Sequence, residues 1–298
     1  MINNEISNYM EKLGLPTPPY DSRLYAESYR YGKNNRYSLK KLGVNGALFF
    51  DFATGESRVI GQHSGATKQE YHHLLKKELE LKLKQQKDAA IKAQSLFKKY
   101  RIQGNSQYLT RKQIKSIVFH DNIKFAYETI AVPLYSIESE MSNLQFIGES
   151  GNKRFLAKAR KKGCFHIIGN KYFQSYKTII LVEGYATGAS VYLATNLPVI
   201  VCFDAYNFKP VLEAINSKYP GKTYIIAADN DAHKEVNVGK DKAYEAAKVC
   251  SAKVLLPAFS SVNHHFKLTD WNDLHVHEGL REVSRQLQSI IKIEVCDE

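Results

Sequence analysis

The chain of 298 residues is 44% apolar, enough to bury one large or two modest cores without disulfide staples. Its four cysteines, Cys164, Cys202, Cys250 and Cys296, form no CxxC pair and no Cys/His cluster at ligand spacing, which argues against a zinc ribbon and for a reduced, cytoplasmic setting. A formal charge of +12 and a pI near 9.3 favour a polyanionic partner, whether DNA, RNA, nucleotide or anionic lipid; the absence of a signal-peptide pattern or an apolar run of ~20 residues argues against a leader and a membrane span.

Residues 1–62 mix aromatic and turn-forming segments. RYSLKKLGVNGALFFDFATGES reads as short strands broken at Asn45-Gly46 and Thr54-Gly55, so a small β-rich module is expected. Residues 63–116 are helical in character. Between Thr67 and Tyr100 the chain is rich in Lys, Glu, Gln, Leu and Ala with no Pro or Gly, which predicts one long helix whose charges, and whose His72 and His73, cover a solvated face.

Residues 117–176 return to β character, with YETIAVPLYS and SNLQFIGESG reading as paired strands, and then turn basic. From Gly151 to Lys177 there are eight Lys or Arg and no Asp or Glu, so an uncompensated positive surface is expected. Phe155, Phe165 and Tyr172 interleave with these charges, an arrangement that suits base stacking or ordinary core packing equally.

Residues 177–298 alternate apolar runs with amphipathic stretches: TIILV, ATGASVYLAT, PVIVCFDA, FKPVLEAINSKY, TYIIAA, KDKAYEAAKVC and AKVLLPAF, closed by the amphipathic GLREVSRQLQSII. This is a βαβαβαβ series. Its almost wholly apolar strands predict an α/β, Rossmann-like fold with a mostly parallel sheet covered by helices on both faces.

In such a sheet the chemistry belongs at the carboxyl ends of the strands. Glu183 follows TIILV and precedes Gly184, which allows a tight strand-to-helix turn; Asp229 and Asp231 follow TYIIAA with one residue between them. Residues two apart in an extended stretch face the same way, so both carboxylates can meet one ion. Three convergent acids without His or Cys ligands suit magnesium, which takes a few carboxylates plus waters and phosphates. Either element alone reads equally as a turn or as a helix N-terminal acid. His264, His265, His275 and His277 fit no zinc spacing, so no zinc is expected, and Trp271 reads as a packing anchor.

A Glu-Gly after the first strand and an Asp-x-Asp after a later one resemble the signature of the TOPRIM domain of bacterial primases, topoisomerases and some nucleases. EGYATGASVYLAT, PVIVCFDAYNFKPV, IIAADND, NVGKDKAYEAA and TDWNDLH together resemble the TOPRIM primases of plasmids, phages and integrative elements. LQFIGESGNKRFLAKARKKGCFHIIG resembles the basic subdomain preceding that domain in bacterial-type primases. The resemblance covers about residues 117–290. It implies Glu183 as a metal-linked acid/base group, Asp229 and Asp231 as metal ligands, and Asp270 and Asp273 as further metal-site acids or helix caps. It implies phosphate contacts from Lys153 and Arg154, joined in the basic segment by Lys158, Arg160, Lys161 and Lys162, and a loop-supporting or substrate role for Asn207. The implied activity is primer synthesis on single-stranded DNA from nucleoside triphosphates with Mg2+, or Mn2+ in its place. The zinc module and Walker phosphate loop of other primases are missing from this sequence, so a separate helicase or replication initiator is expected as partner. A TOPRIM nuclease, or a non-catalytic nucleic-acid-binding replication module, uses the same features.

Overall fold

The computed structural model describes residues 4–18, 28–42, 46–54, 56–60, 68–119, 121–169, 172–231, 233, 237–260 and 267–295. The chain divides into two compact units, Met1–Leu81 and Lys82–Glu298.

In the first unit a helix, α1 (Asn4–Lys12), precedes an antiparallel meander of β1 (Ser28–Tyr31), β2 (Tyr37–Leu42), β3 (Gly46–Asp51) and β4 (Ser57–Ile60), paired in chain order. Ala47 and Phe49 lie two apart on β3 and so share a face. With Leu39, Tyr31 and Ile60 they bury Ile6 and Met10, one turn apart on α1. The reading of residues 1–62 as β-rich omits this helix. A nine-residue amphipathic segment leaves too short a periodic trace to stand out. Arg36 grips Asp51 with two hydrogen bonds of 3.0 and 2.9 Å, and this guanidinium contact holds the carboxyl down at about 2.

Helix α2 spans Lys68–Lys99, and its residues from Lys82 onward belong to the second unit. His72 and His73 lie among side chains outside the described set. In the second unit Ala89, Ala93 and Phe97 recur every four residues on the inner stripe of α2, and Ala93 and Phe97 pack on Ala131 and Leu144.

After α3 (Gln107–Arg111) and a 3-10 turn at Lys115–Phe119 comes an antiparallel sheet of β5 (Lys124–Ala126), β6 (Thr129–Tyr135), β7 (Met141–Ile147) and β8 (Lys153–Phe155), again in chain order. A second sheet is built from β9 (His166–Ile168), β10 (Thr178–Val182), β11 (Val199–Val201), β12 (Thr223–Ala227) and β13 (Lys253–Leu255). Its order is β13-β12-β10-β11-β9, with four parallel strands and β9 antiparallel at one edge. The intervening helices are α4 (Tyr185–Thr195), α5 (Phe208–Lys218) and α6 (Val238–Ala247), followed by α7 (Trp271–Glu278) and α8 (Leu280–Val295).

Alternation along β10 explains the layers. Ile180 and Val182 face α4, α7 and α8 through Tyr185, Ala189, Trp271, Leu274, Val283 and Leu287. Ile179 and Leu181 face α5 and α6 through Phe208, Val211, Leu212, Ala243 and Ala246. With both faces covered, every position of the strand from Ile179 to Val182 is buried, as its unbroken apolar run predicts. Helix α4 lies so close to the sheet that a Cβ at Gly188 would come within 2.9 Å of Val201 and 3.0 Å of Val182.

Candidate acidic active site

The parallel strands end together, and their acids gather there. Glu183 follows β10, Asp204 lies just beyond β11, and Asp229 and Asp231 lie just beyond β12. Gly184 is the N-cap of α4 at φ −103°, an angle any residue adopts, so the turn does not depend on a glycine's special freedom. It has no side-chain cap. The opening turn of α4, through Gly184, Ala186 and Thr187, lines a cavity of about 330 Å³. Glu183, Asp229 and Asp270 line the same cavity, while Tyr108, Arg111, Lys112, Ser150, Gly151 and Lys153 form the rest of the wall with Phe203. Acids therefore face cations across one space.

The acids disturb one another. Burial first, then the charge of Asp204, pushes Glu183 up to about 7, against the opposing pull of Lys153. Burial, then Glu183 and Asp270, pushes Asp229 up to about 8, again opposed by Lys153. Asp270 is raised by burial and by Asp273. Oδ1 of Asp229 is sealed from solvent and has no hydrogen-bond partner among the described residues, a costly state for a carboxylate unless a cation faces it. A Cβ at Gly239, near the start of α6, would lie 3.3 Å from the carbonyl oxygen of Asp229, so this glycine eases the close approach of α6 to the backbone that carries the acid. Asp231 adds its charge to Glu183 and Asp229 without lining the cavity.

Among the described residues no three His, Cys, Asp or Glu side chains form a ready cage for an ion. The donor set still fits magnesium, which uses one or two carboxylates and completes its shell with water and substrate phosphates. The orphaned Asp229 oxygen is the observation that supports this fit.

Asp270 and Asp273 serve α7 together as a capping box. Asp270 Oδ1 accepts from the Asp273 N–H at 2.7 Å, and Asp273 Oδ2 accepts from the N–H groups of Thr269 and Asp270. Lys112 adds an ion pair to Asp273 at 3.5 Å. Asn272, fully buried, donates to Lys112 O at 2.8 Å and to Ser190 Oγ at 2.9 Å; Ser190 Oγ also lies 3.0 Å from His275 Nδ1. The first turn of α7 is thereby tied to both α3 and α4. Asp270 keeps a face on the cavity; Asp273 does not line it.

The basic candidates divide. Lys153 lines the cavity and lies near the opening of α4, where a Cβ at Gly184 would be 3.6 Å from its Nζ. Arg154, Lys158 and Lys162 are exposed and make no ion pair with a described residue. Lys161 pairs with Asp204 and sits over the Phe155 ring at 5.2 Å, and Arg160 donates to Lys162 O. Asn207 is buried, its Oδ1 accepting from Gly163 N–H at 2.8 Å and its amide donating to Cys202 O at 2.8 Å and Cys164 O at 2.9 Å, so it staples the basic loop to the end of β11. Of the interleaved aromatics, Phe165 is core, Phe155 packs edge-on to Phe203, and Tyr172 is exposed. Phe203 itself stands at φ 70°, a strained conformation for an aromatic residue, with its N–H bonded to Glu183 O.

His264, His265 and Cys296 lie outside the described residues. His275 is buried against α4, Trp271 is an anchor in the core, Cys202 is buried, and Cys250 is only half-buried against the α5–α6 core. The sequence reading passed over Asp204, Tyr108, Arg111 and Lys112. Asp204 has the same position after an apolar strand as Glu183, a signal that could have found it. The other three come from a short helix whose sequence says nothing of its destination.

Residues 178–281 match the family model of the Toprim domain. This stretch is a Toprim domain. Two proteins from Escherichia coli, each named DNA primase TraC, are similar to part of the chain: one is 37% identical over 134 residues, the other 33% over 140. Those matches take in 43% and 45% of this chain but only 13% and 10% of the relatives' own length. Among solved structures, the DnaG primase catalytic domain bound to ssDNA is similar with a TM-score of 0.48 and 11% identity, over 68% of this chain and 79% of that one. Glu183 and Asp229 thus stand at the carboxyl ends of two central Toprim strands. No helix among the described residues is long and apolar enough to cross a membrane.

Proposed function

We propose that the chain is a DNA primase, joining nucleoside triphosphates into short primers on single-stranded DNA. The observation that carries this reading is the cavity in which Glu183, Asp229 and Asp270 face Arg111, Lys112 and Lys153. Acids alone would suit an ion, and cations alone a phosphate; both across one space suit a nucleotide triphosphate with its divalent ion. Glu183 and Asp229 would hold Mg2+, or Mn2+ in its place, with Asp231 adding charge and Asp270 nearby. When bound, the ion would neutralise phosphate charge and orient the α-phosphate toward a primer 3′-hydroxyl.

The chain's own residues supply the rest. Lys153, Arg111 and Lys112 hold the phosphate tail, and the uncapped first turn of α4 offers backbone N–H groups to the same anion. Without an ion Glu183 is raised to about 7 by burial and by Asp204; a bound cation would favour its charged form, so that it would serve as a carboxylate ligand. Arg154, Lys158 and Lys162 hold the template backbone, and Lys161 and Asn207 shape the loop that carries them. Similarity to two proteins named DNA primase supports the reading. A separate helicase or initiator would expose the template, and the work would take place in the cytoplasm.

The test is synthesis of labelled oligonucleotides on single-stranded DNA with Mg2+. Product from the wild type and none from Glu183→Gln is expected. Cleavage of the template without nucleotides, lost in Asp229→Asn, would replace this reading with a nuclease.

A further inference from the structure

A buried chain of polar groups lies behind the acidic cavity rather than in it. Asp121, between the 3-10 turn and β5, places Oδ1 2.7 Å from Nε2 of His166, the first residue of β9. Its other oxygen, Oδ2, accepts a hydrogen bond of 2.7 Å from the hydroxyl of Tyr185, the first residue of α4. Nδ1 of His166 lies 2.9 Å from the carbonyl oxygen of Pro133 in β6. The side chains of His166 and Asp121 are 1% and 0% exposed, and Tyr185 is fully buried. Three segments far apart in sequence meet here, two residues beyond Glu183.

The proton inventory follows from the partners. A carbonyl oxygen only accepts, so Nδ1 of His166 carries a proton, and one further proton is shared between Nε2 and Asp121 Oδ1. Packing alone would be served by Phe at 185 and an apolar residue at 166. Buried polar groups add little stability in themselves; what they add here is one fixed arrangement.

We propose that the Asp121–His166–Tyr185 chain is a positioning device that fixes the strand-to-helix turn bearing Glu183. Tyr185 cannot shift along α4 without releasing Asp121, and Asp121 cannot shift without leaving Nε2 of His166 unpaired in an apolar core. Glu183 is braced from the other side, where Phe203 N–H donates to its carbonyl oxygen at 2.8 Å. The acid is thereby set by the segment between residues 121 and 168 as well as by its own strand. This role rests on the acidic-site reading above.

The measurement uses the full chain. Mn2+ affinity, read by electron paramagnetic resonance, is expected to fall about tenfold in Tyr185→Phe, the low end for loss of a group that orients metal ligands. Single-stranded DNA affinity and its salt dependence should stay unchanged in the same variant. Unchanged Mn2+ affinity, or an equal loss of both, overturns the positioning role. If the wild type binds no Mn2+, the acidic-site reading falls and the positioning role with it. Should Tyr185→Phe not fold, His166→Gln is read in its place, with the same outcome expected and the same outcomes overturning the role.

Discussion

Glu183 and Asp229, held near 7 and 8, retain protons that an unfolded chain would already have released. Below about pH 4 both states are protonated and the acids cost nothing. As pH rises through 4 to 8 the unfolded state ionises first, so metal-free stability falls across that window and stays low above it. The Glu183 contribution is on the order of 3 kcal/mol at one pKa unit to 1.36 kcal/mol. Asp229→Asn is expected to raise the melting temperature at pH 8 in EDTA while abolishing primer synthesis; a lowered melting temperature would contradict the repulsion. Adding Mg2+ should stabilise the wild type more than this variant.

The neighbouring acids separate by the same reasoning. Asp273 spends its carboxylate on backbone N–H groups and Lys112, whereas Asp270 lines the cavity. Asp273→Asn, whose amide oxygen still accepts, should cost about 1 kcal/mol in urea unfolding and leave most activity. Asp270→Asn should reduce primer synthesis severely with little change in stability. Sequence alone placed both acids in one motif. It could not divide them, because the division depends on which oxygen faces a neighbouring backbone and which faces the cavity.

At the scale of elements, α7 is held by a few buried polar contacts rather than by apolar area alone. Asn272→Ala would strand the Lys112 carbonyl and leave Ser190 Oγ with His275 alone, an expected loss of about 2 kcal/mol by urea unfolding. The parallel strands and their helices were legible because each apolar run ends in an acid or a turn; α5 shows one inner stripe at Phe208, Val211, Leu212 and Ile215, whereas α4 is buried through seven successive residues. Helix α1 was not legible, its signal being two buried residues, Ile6 and Met10, against a sheet that follows it in sequence. Strand β9 was folded into the basic segment by composition. Three residues pairing antiparallel with β11 carry no periodicity that would assign them to the larger sheet.

For the whole molecule, a net charge of +12 says only that a polyanion is welcome. The structure separates free charge from committed charge. Lys158→Gln should lower the slope of log affinity for single-stranded DNA against log salt by about 0.7, the share of one phosphate contact, and Lys162→Gln should do the same. Lys161→Gln should leave that slope unchanged, since Asp204 already holds its ammonium group. A matching fall in slope for all three would show that the pair with Asp204 opens on binding.

Phe203 carries a different consequence. Its left-handed backbone is tolerated because its N–H holds Glu183 and its ring packs on Phe155, so the strain sits beside the chemistry. A laboratory selection for heat resistance would find relief at this position, through Asn or Gly, and would enrich survivors that hold together better and synthesise less. Position 203 is where thermal endurance and turnover are expected to compete during adaptation.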